Sequence, residues 1–514
     1  MTAASHSRWI LAATILASSM AFIDGTVVNV ALPALQKDLN ATAIGVQWIV
    51  EAYALFLSAL LLVGGSLGDH YGRKRVFLIG VTLFAAASAW CGLAPNIEQL
   101  IAARAVQGIG GSLLIPGSLA IISASFPTAK RGRAIGTWSG FSAITTAIGP
   151  VLGGWLIENV SWRAVFFLNL PLAVVVVLIT FRHIKESRDR KHTGGIDWVG
   201  ALLATVGLGG LTYGLIESSR LSWVATSVVI SIGVGLVALA VFVFVEARSK
   251  SPMLPLDLFR SRNFTGTNAL TLVLYFSLGG GLFFLTLNLI QVQEFSATAA
   301  GAALLPFVVL MFVLSRWSGG LIERFGPRPP LVVGPFVAAV GYALMAVPGT
   351  EAGYWSGFFP GVLVLGLGMA ISVAPLTTTV MSSVDESQAG VASGINNAVA
   401  RAAGLLAVAV LGVVMLQVFS GELKQRLNAI DLPETARSAI YDQRIKLAGL
   451  NVDEVVNANS GGTALPPPAN VSLEVTQAVR ESFVRGFRVV MVIAAVMALA
   501  GSLTSIFLIE NKKP

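Results

Sequence analysis

The stretch Gly64–Arg75, GGSLGDHYGRKR, decides the fold, because it is a short polar turn between two apolar segments that are each long enough to cross a membrane. A related run, GGLIERFGPR, occurs at Gly319–Arg328, with Glu323 and Arg324 at matching offsets. Each run joins glycines, which let helices and a tight turn approach closely, to charged residues that belong at a membrane surface. The repeat predicts a duplicated chain.

The composition indicates that most of the chain is surrounded by lipid. Of the 514 residues 55% are hydrophobic and 12% are charged, about half the charged fraction of a typical soluble domain, and the mean hydropathy is +0.78. An α-helix needs roughly 20 apolar residues to cross the hydrocarbon core, where it must satisfy its own backbone hydrogen bonds. We therefore predict an all-α integral membrane protein.

Apolar runs of sufficient length predict fourteen transmembrane helices. They are 9–33, 46–66, 76–94, 98–122, 134–157, 164–182, 197–217, 223–245, 264–291, 298–322, 329–347, 354–380, 389–417 and 486–508. An even number places both termini on one side, and the Lys and Arg residues concentrate in the tails and short loops of that side. Because short cytoplasmic loops carry the basic excess, both termini are predicted to be cytoplasmic, in a cytoplasmic (inner) membrane.

Charge, cysteine and motif content argue against several other classes of protein. The net charge of +8 lies in membrane-flanking loops, so it is no evidence for nucleic-acid binding. The single cysteine, Cys91, excludes an internal disulfide, and the four histidines are too scattered to predict a metal site. A GK[ST] phosphate-binding loop does not occur, so the chain is expected to be neither an enzyme nor an ATP-driven pump.

The two related turns follow the second and tenth helices, whereas two six-helix halves would place them six helices apart. Two extra helices, 197–217 and 223–245, are therefore the expected insertion. The predicted units are an N-terminal six-helix bundle at 1–182, a cytoplasmic linker with the inserted helices at 183–250, and a C-terminal six-helix bundle at 251–514. The last unit contains a long outer loop, 418–485, which could cap the mouth, dock an accessory protein or be a solvated loop.

Five motifs occur in one order along the chain. They are DGTVVNVALP at 24–33; the loop residues Gly65, Leu67, Asp69, Gly72, Arg73 and Lys74; Arg104, Gln107, Gly108 and Gly111; Gly149, Pro150, Gly153 and Gly154; and WRAVFFLNLP at 162–171. Together they resemble the major facilitator superfamily, and within it the fourteen-helix drug:proton antiporters. Gly68, His70 and Glu323 depart from the commoner alanine, arginine and aspartate. The resemblance implies a major facilitator fold, with two parallel six-helix halves around a central cavity.

Three ionisable residues form the predicted proton-coupling site. Asp24 lies about 13 Å below the outer end of its helix, and Glu51 and Arg104 reach a similar depth. Ionisable groups at such depth usually face the bundle interior and mark proton or substrate paths. Burial favours a neutral carboxyl and a nearby guanidinium favours a charged one, so movement of Arg104 would load and release a proton. The alternatives are that Asp24 only bonds a neighbouring helix and that Glu51 lies at the surface.

Two glycine-containing motifs are the predicted moving parts. The cytoplasmic turn is interpreted as a latch that favours an outward-open state, formed by Gly65, Asp69, Gly72 and Arg73 and, in the second copy, Glu323 and Arg324. The alternative is a basic cluster that only fixes orientation. Gly149, Pro150, Gly153 and Gly154 form the motif that the resemblance associates with antiporters and with a tight seal against leak, although small residues also serve ordinary helix packing.

Polar and aromatic residues from both halves are the predicted lining of the substrate cavity. They are Asn29, Trp48, Tyr53, Phe56, Tyr275, Phe283, Asn396, Asn397 and Arg401. Aromatic side chains could accept drugs by burial and cation–π contact, or could be ordinary packing. Arg401 fits poorly with purely cationic substrates, so anionic and zwitterionic ones stay open.

The function predicted from the sequence is proton-driven export of lipophilic, above all cationic, drugs by alternating access. The alternatives are a dedicated metabolite or sugar exporter and a membrane sensor that does not transport. The expected partners are a small-molecule substrate, protons and the lipid bilayer, with no nucleic acid, and a periplasmic adaptor protein stays open. A monomer is expected, with no cofactor besides the proton gradient.

Overall fold

The computed structural model describes residues 3–126, 128–188, 197–249, 252–384, 389–450, 452 and 469–511. Among these residues the regular elements are helices, and thirteen of the helical stretches are long and apolar enough to cross a membrane. The remaining predicted segment, 134–157, lies within a further helix of 32 residues, Thr128–Asn159. Every predicted segment therefore coincides with a helix.

The N-terminal half contains seven helices, of which two share one membrane span. They are α1 (Ala3–Asp38), α2 (Ala43–Tyr71), α3 (Arg73–Leu93), α4 (Ile97–Ser125), α5 (Thr128–Asn159), α6 (Trp162–Phe167) and α7 (Asn169–His183). Within this half α2 and α3 pack on α4, and α1 packs on α5. The inserted hairpin follows, as α8 (Trp198–Leu221) and α9 (Thr226–Arg248).

The C-terminal half repeats this plan with more interruptions. Its helices are α10 (Arg262–Gln291), α11 (Ala297–Ala302), α12 (Leu305–Gly319), α13 (Leu321–Phe325), α14 (Arg328–Met345), α15 (Tyr354–Gly357), α16 (Phe359–Ser382), α17 (Ala389–Ala429), α18 (Glu434–Asp442) and α19 (Ala469–Leu508). Short 3₁₀ helices occur at Leu256–Arg260 and Arg444–Gly449. Here α14 packs on α16 and α19, and α10 packs on α17 and α19.

Two helices of this half are much longer than their predicted segments. α17 has 41 residues and α19 has 40, so each is about 60 Å long, roughly twice the thickness of the hydrocarbon core. The apolar runs 389–417 and 486–508 mark only the membrane part, because a search for apolar runs stops where charged residues begin. Much of the predicted outer loop, 418–485, is therefore helical extension that projects beyond the membrane.

The polar turn that joins α2 and α3 is also shorter than predicted. α2 continues as a helix to Tyr71, so Asp69 lies in its last turn and Gly72 alone forms the connection. Gly72 has φ 112°, a backbone conformation that glycine adopts without steric cost. We call the end of the bundle that carries this turn the inner end and the opposite end the outer end.

The inserted hairpin packs against both halves. α8 contacts α9, α2 of the N-terminal half and α17 of the C-terminal half. Ile216 of α8 joins a small apolar cluster with Ile44 of α2 and Ala409 of α17. The hairpin thus covers one of the seams along which the two halves meet.

Candidate functional site

Asp24 of α1 and Arg104 of α4 form a buried ion pair in the middle of the N-terminal half. Arg104 Nη1 lies 2.5 Å from Asp24 Oδ2, and the two residues are 1% and 0% exposed. Asp24 Oδ1 accepts two more hydrogen bonds, from Gln107 Nε2 at 2.8 Å and from Asn169 Nδ2 at 3.3 Å. Arg104 and Gln107 are one turn apart on α4, so both reach the same carboxylate. Three donors therefore compensate the buried charge of Asp24.

The Arg104 guanidinium is held on its other sides as well. Its Nε donates to the carbonyl of Ile49 at 3.0 Å, and the guanidinium lies 4.2 Å from the centre of the Tyr53 ring. Both residues belong to α2, so Arg104 ties three helices together. The sequence predicted Arg104 and Tyr53 as functional residues, but it did not assign Tyr53 this cation–π contact.

A second layer of polar side chains supports this ion pair. Ser88 of α3 accepts from Asn169 Nδ2 at 2.9 Å and from Gln107 Nε2 at 3.3 Å, and donates to the carbonyl of Phe166 at 2.8 Å. Sequence reasoning missed Ser88 and Asn169 as site residues. The sequence did offer a signal, because each is a polar residue within an apolar run. Burying a polar side chain in a membrane helix costs free energy unless the side chain is hydrogen-bonded.

Glu51 does not join Asp24 and Arg104, although the sequence placed the three together. Glu51 is 0% exposed, and both of its carboxylate oxygens lack a hydrogen-bond partner among the described residues. One turn before it Gln47 donates to the carbonyl of Val408 of α17, and one turn after it Leu55 approaches Gly209 of α8. Glu51 therefore lies on the face of α2 towards the inserted hairpin and α17, away from the face that carries Tyr53.

The predicted latch residues form a compact turn within the N-terminal half. Arg73 Nη2 lies 2.8 Å from Asp69 Oδ1, one helical turn away. Glu186, which follows α7, accepts from the backbone N–H groups of Lys74 and Arg75 at 3.1 and 3.2 Å. The φ of Gly72 favours glycine, and a Cβ there would lie 2.7 Å from the Glu186 carboxyl carbon, so a larger residue would also displace this capping side chain. Sequence reasoning missed Glu186, which caps the start of α3.

The second copy of the turn repeats this arrangement with a different cap. Gly326 has φ 80°, and Asn511, which follows α19, accepts from the backbone N–H of Arg328 at 3.4 Å. Arg324 lies over the Phe325 ring at 5.2 Å, and the side chain of Glu323 lies outside the described set. In both copies the capping residue follows the last helix of the same half. It accepts a hydrogen bond at the start of the helix that follows the turn.

The glycine-proline motif of α5 contacts both its own half and the other half. Gly149 and Gly153 face Thr26 and Val27 of α1. Gly154 instead faces α11: a Cβ there would lie 2.6 Å from the Ala297 carbonyl carbon. These glycines allow backbone-to-backbone approach, as small residues do in membrane helices.

Gly301 of α11 completes this contact from the C-terminal half. A Cβ at Gly301 would lie 2.5 Å from the Pro150 carbonyl carbon, and Glu158 accepts from the N–H and hydroxyl of Thr298 at 2.7 and 2.8 Å. We call this contact between α5 and α11 the outer seal.

A second closure lies between α1 and α10 and involves residues 444–450, which we call the outer cap. Gln291 Nε2 of α10 donates to Gln36 Oε1 of α1 at 3.0 Å, and Gln36 Nε2 donates to the carbonyl of Lys446 at 3.0 Å. Leu447 is 4% exposed, has φ 54° and lines a small gap with Gln36 and Phe283. The outer seal and the outer cap together show that the described conformation is closed at the outer end.

The predicted cavity residues are distributed over several environments. Trp48 packs beside the inserted hairpin, with its ring 6.1 Å from that of Tyr213. Phe283 stacks edge-on with Phe284 near the outer cap, and Phe56 packs against Gly108. Asn29 is partly buried, and its Oδ1 has no hydrogen-bond partner among the described residues.

The polar cluster of α17 faces α10 and α2. Asn396 donates to Asn268 Oδ1 at 3.1 Å and to Thr271 Oγ1 at 2.7 Å, whereas Asn397 donates to the carbonyl of Ser393 within its own helix. Arg401 is partly buried and lies near Tyr53 of α2 and Tyr275 of α10. Tyr53 therefore lies against Arg104 of its own half and near Arg401 of the other half.

Comparison with known proteins agrees with this architecture. The sequence profile of the Major Facilitator Superfamily matches residues 14–409. The chain is 33% identical over 496 residues to the multidrug resistance protein Stp of Mycobacterium tuberculosis (strain CDC 1551 / Oshkosh), covering 96% of this chain and 90% of that protein. It is 32% identical over 488 residues to the tetracenomycin C resistance and export protein of Streptomyces glaucescens, covering 95% and 89%.

Among solved structures, a bacterial homolog to the human lysosomal transporter Spinster, in an inward-facing and unoccupied conformation, superposes with a TM-score of 0.66. The sequence identity is 19%, and the match covers 98% of each chain. At this identity the likeness shows the fold alone.

Proposed function

Because the chain belongs to the Major Facilitator Superfamily, and its relatives include multidrug resistance and antibiotic export proteins, we propose that it exports lipophilic drugs in exchange for protons. The observation that carries the proton coupling is the Asp24–Arg104 pair, which is fully buried at membrane depth and bonded on every side. A buried charge pair is costly to keep for stability alone. Ionisable residues inside a membrane bundle usually serve a transport path.

The pair explains how proton release is linked to one conformation. In the outer-closed conformation Asp24 accepts hydrogen bonds from Arg104, Gln107 and Asn169, and we propose that this is the conformation in which the proton has been released. A proton arriving from the outer side would neutralise Asp24 and remove its charge-assisted bonds, which are about twice as strong as neutral ones. Arg104 would keep its bond to Ile49 and its contact with Tyr53. Closing the outer end restores the pair and expels the proton inward.

The proton-motive force is the proposed energy source for the exchange of drug for protons, and its size is sufficient. A membrane potential of about 100 mV supplies about 2.3 kcal/mol for each charge moved. That amount is comparable to the coupling energies of about 1–3 kcal/mol by which one site changes the affinity of another. We assign Asp24 as the exchanging group, with Gln107, Asn169 and Ser88 as the residues that position it.

The surroundings of Asp24 also limit where a drug binds. A lipophilic cation would have to displace Arg104 to reach the carboxylate, because all three donors are already in place. We therefore place the drug away from the Asp24 carboxylate, towards α10 and α17. The protein is multi-pass, and we propose that it acts as a monomer in the cytoplasmic membrane with both termini inside and needs no adaptor for transport itself.

The test is drug-induced proton movement in everted membrane vesicles. With a respiration-generated proton gradient in place, a panel of lipophilic drugs that includes cationic ethidium as well as anionic and zwitterionic compounds is tested, and its substrates are expected to dissipate the gradient in wild type and not in Asp24→Asn. Asp38→Asn is the matched control, since Asp38 lies on the same helix but is exposed at the outer end beside Arg163. Drug uptake without a proton signal in wild type would refute proton coupling. If wild-type vesicles take up none of the compounds, a metabolite or sugar exporter, or a sensor, would describe the protein better.

A further inference from the structure

Arg401 of α17 is a cation without a counter-charge among the residues that the structure describes. Its guanidinium forms no hydrogen bond or ion pair with any residue that the structure describes, and the residue is partly buried by its accessible surface. A guanidinium has five N–H donors, and leaving such a charge unpaired away from bulk water is costly. Arg401 therefore has N–H donors that no described residue accepts.

The residues around Arg401 supply an aromatic and polar frame, not an acid. One turn after Arg401, Gly404 approaches Gly279 of α10, which is one turn from Tyr275. One turn before Arg401, Ala398 packs against the apolar cluster that contains Tyr53. Tyr53 and Tyr275 are therefore its neighbours, one from each half. Tyr53 has one ring face covered by Arg104, while Tyr275 is partly buried and its hydroxyl forms no hydrogen bond with the described residues. Asp24 is already bonded by three donors.

The neighbouring acids do not change this balance. Glu51 lies on the opposite face of α2 from Tyr53, towards the inserted hairpin. The Asp24–Arg104 pair sums to zero charge, so among the described residues around Tyr53 the positive charge of Arg401 is not balanced. Asn396, just over one turn before Arg401, is held by Asn268 and Thr271, which fixes this part of α17 against α10.

We propose that Arg401, with the Tyr53 ring and the Tyr275 hydroxyl, is the subsite that binds the acidic group of an anionic or zwitterionic aromatic drug. Arg401 would bind a carboxylate, sulfonate or phenolate through paired N–H groups, and Tyr275 would donate one more hydrogen bond. The aromatic body of the drug would lie along Tyr53 and the apolar walls of α2 and α10. This assignment rests on the proposed drug export, and it names the charge class of the drug.

An anionic substrate also fits the direction of export. The cytoplasmic side of the membrane is electrically negative, so the membrane potential itself drives an anion outwards, with about 2.3 kcal/mol per charge for each 100 mV. Binding at Arg401 would neutralise the drug during its passage through the bundle.

The test compares two dyes that share a xanthene skeleton and differ in charge. Fluorescein is anionic and rhodamine 123 is cationic, and their binding to the purified, full-length protein in detergent is measured by fluorescence polarisation. We expect wild type to bind fluorescein more tightly than rhodamine 123. Arg401→Ala should weaken fluorescein binding at least tenfold and leave rhodamine 123 binding within about twofold, while Arg401→Lys should recover part of the loss.

Arg444→Ala is the matched control, because Arg444 lies in the outer cap, remote from this subsite, and bonds the carbonyl of Tyr441. Thermal melting of each variant checks folding, and Arg401→Gln replaces Arg401→Ala if the latter melts early. Unchanged fluorescein affinity in a folded Arg401 variant, or a wild-type preference for rhodamine 123, would overturn the proposal. Since binding is measured without transport, an Asp24→Asn protein that binds fluorescein normally would separate a failure of proton coupling from a failure of this subsite.

Discussion

The outer seal gives the sharpest prediction, because one methyl group should change which side of the protein is open. In Gly154→Ala the new Cβ would lie 2.6 Å from the Ala297 carbonyl carbon, whereas non-bonded carbon atoms prefer about 3.5–4.0 Å. The obstacle is backbone of another helix, so α5 and α11 must separate by about 1 Å at this point. The clash exists only while the outer end is closed.

The size of the effect follows from the cost of overpacking. Inserting a methyl group into a well-packed contact costs typically about 1–3 kcal/mol. Because the cost falls on the outer-closed conformation alone, the ratio of outer-closed to outer-open molecules should fall by about 5- to 150-fold. Drug transport should slow as the inward-accessible population declines.

Distances between spin labels at Val160→Cys and Trp355→Cys report the opening directly. Both residues are exposed at the outer end, one in each half, and the native Cys91 is buried. The long-distance population should grow in Gly154→Ala. Gly153→Ala is the matched control, since its Cβ would meet Val27 within the same half and should lower stability without moving the label distances. A folded Gly154→Ala protein with wild-type distances would refute this account of the seal.

Three further changes test other parts of the structure. Gly72→Ala should lower the free energy of unfolding by about 1–2 kcal/mol, measured as a lower melting temperature, because alanine is strained at φ 112° and would crowd Glu186. Leu447→Ala should open the outer cap, seen as faster thiol labelling of a cysteine at Gln291, and unchanged labelling would contradict a closing role for Leu447. Glu51→Gln should keep the drug-induced proton signal, because Glu51 lies on the face of α2 opposite to Tyr53 and away from the Asp24–Arg104 pair, and loss of that signal would make Glu51 a second coupling residue.

The sequence predicted the helices well because the membrane imposes a strong and simple requirement. Long apolar runs can only be helices there, so all fourteen segments correspond to helical structure in the described residues. The predicted grouping of Asp24, Glu51 and Arg104 was harder to obtain from the sequence. The depth of a residue along a helix can be read from the sequence, but its rotation about the helix axis cannot. Asp24 and Arg104 meet, while Glu51 lies at a similar depth on a face of α2 that turns towards α8 and α17.

Other features depend on contacts between distant parts of the chain. Glu186 and Asn511 cap helices that begin far from them in sequence, and their own neighbourhoods carry no motif. The outer cap could not be predicted either, since Leu447 is an ordinary leucine whose burial depends on how α17 and its extension fold back over the two halves.

The position of the inserted hairpin has a consequence for how hydrophobic compounds arrive from the bilayer. α8 covers the seam between α2 and α17, and residues of α9 such as Val229, Leu236 and Val237 face outwards with more than half of their surface exposed. The opposite seam is formed directly by α5 with α11 and α12. Compounds dissolved in the lipid leaflet would then meet the added helices at one seam and α5 with α11 and α12 at the other. The two added helices shield one of the two seams from lipid and leave the other without such a cover. The two sides of the molecule in the plane of the membrane therefore differ.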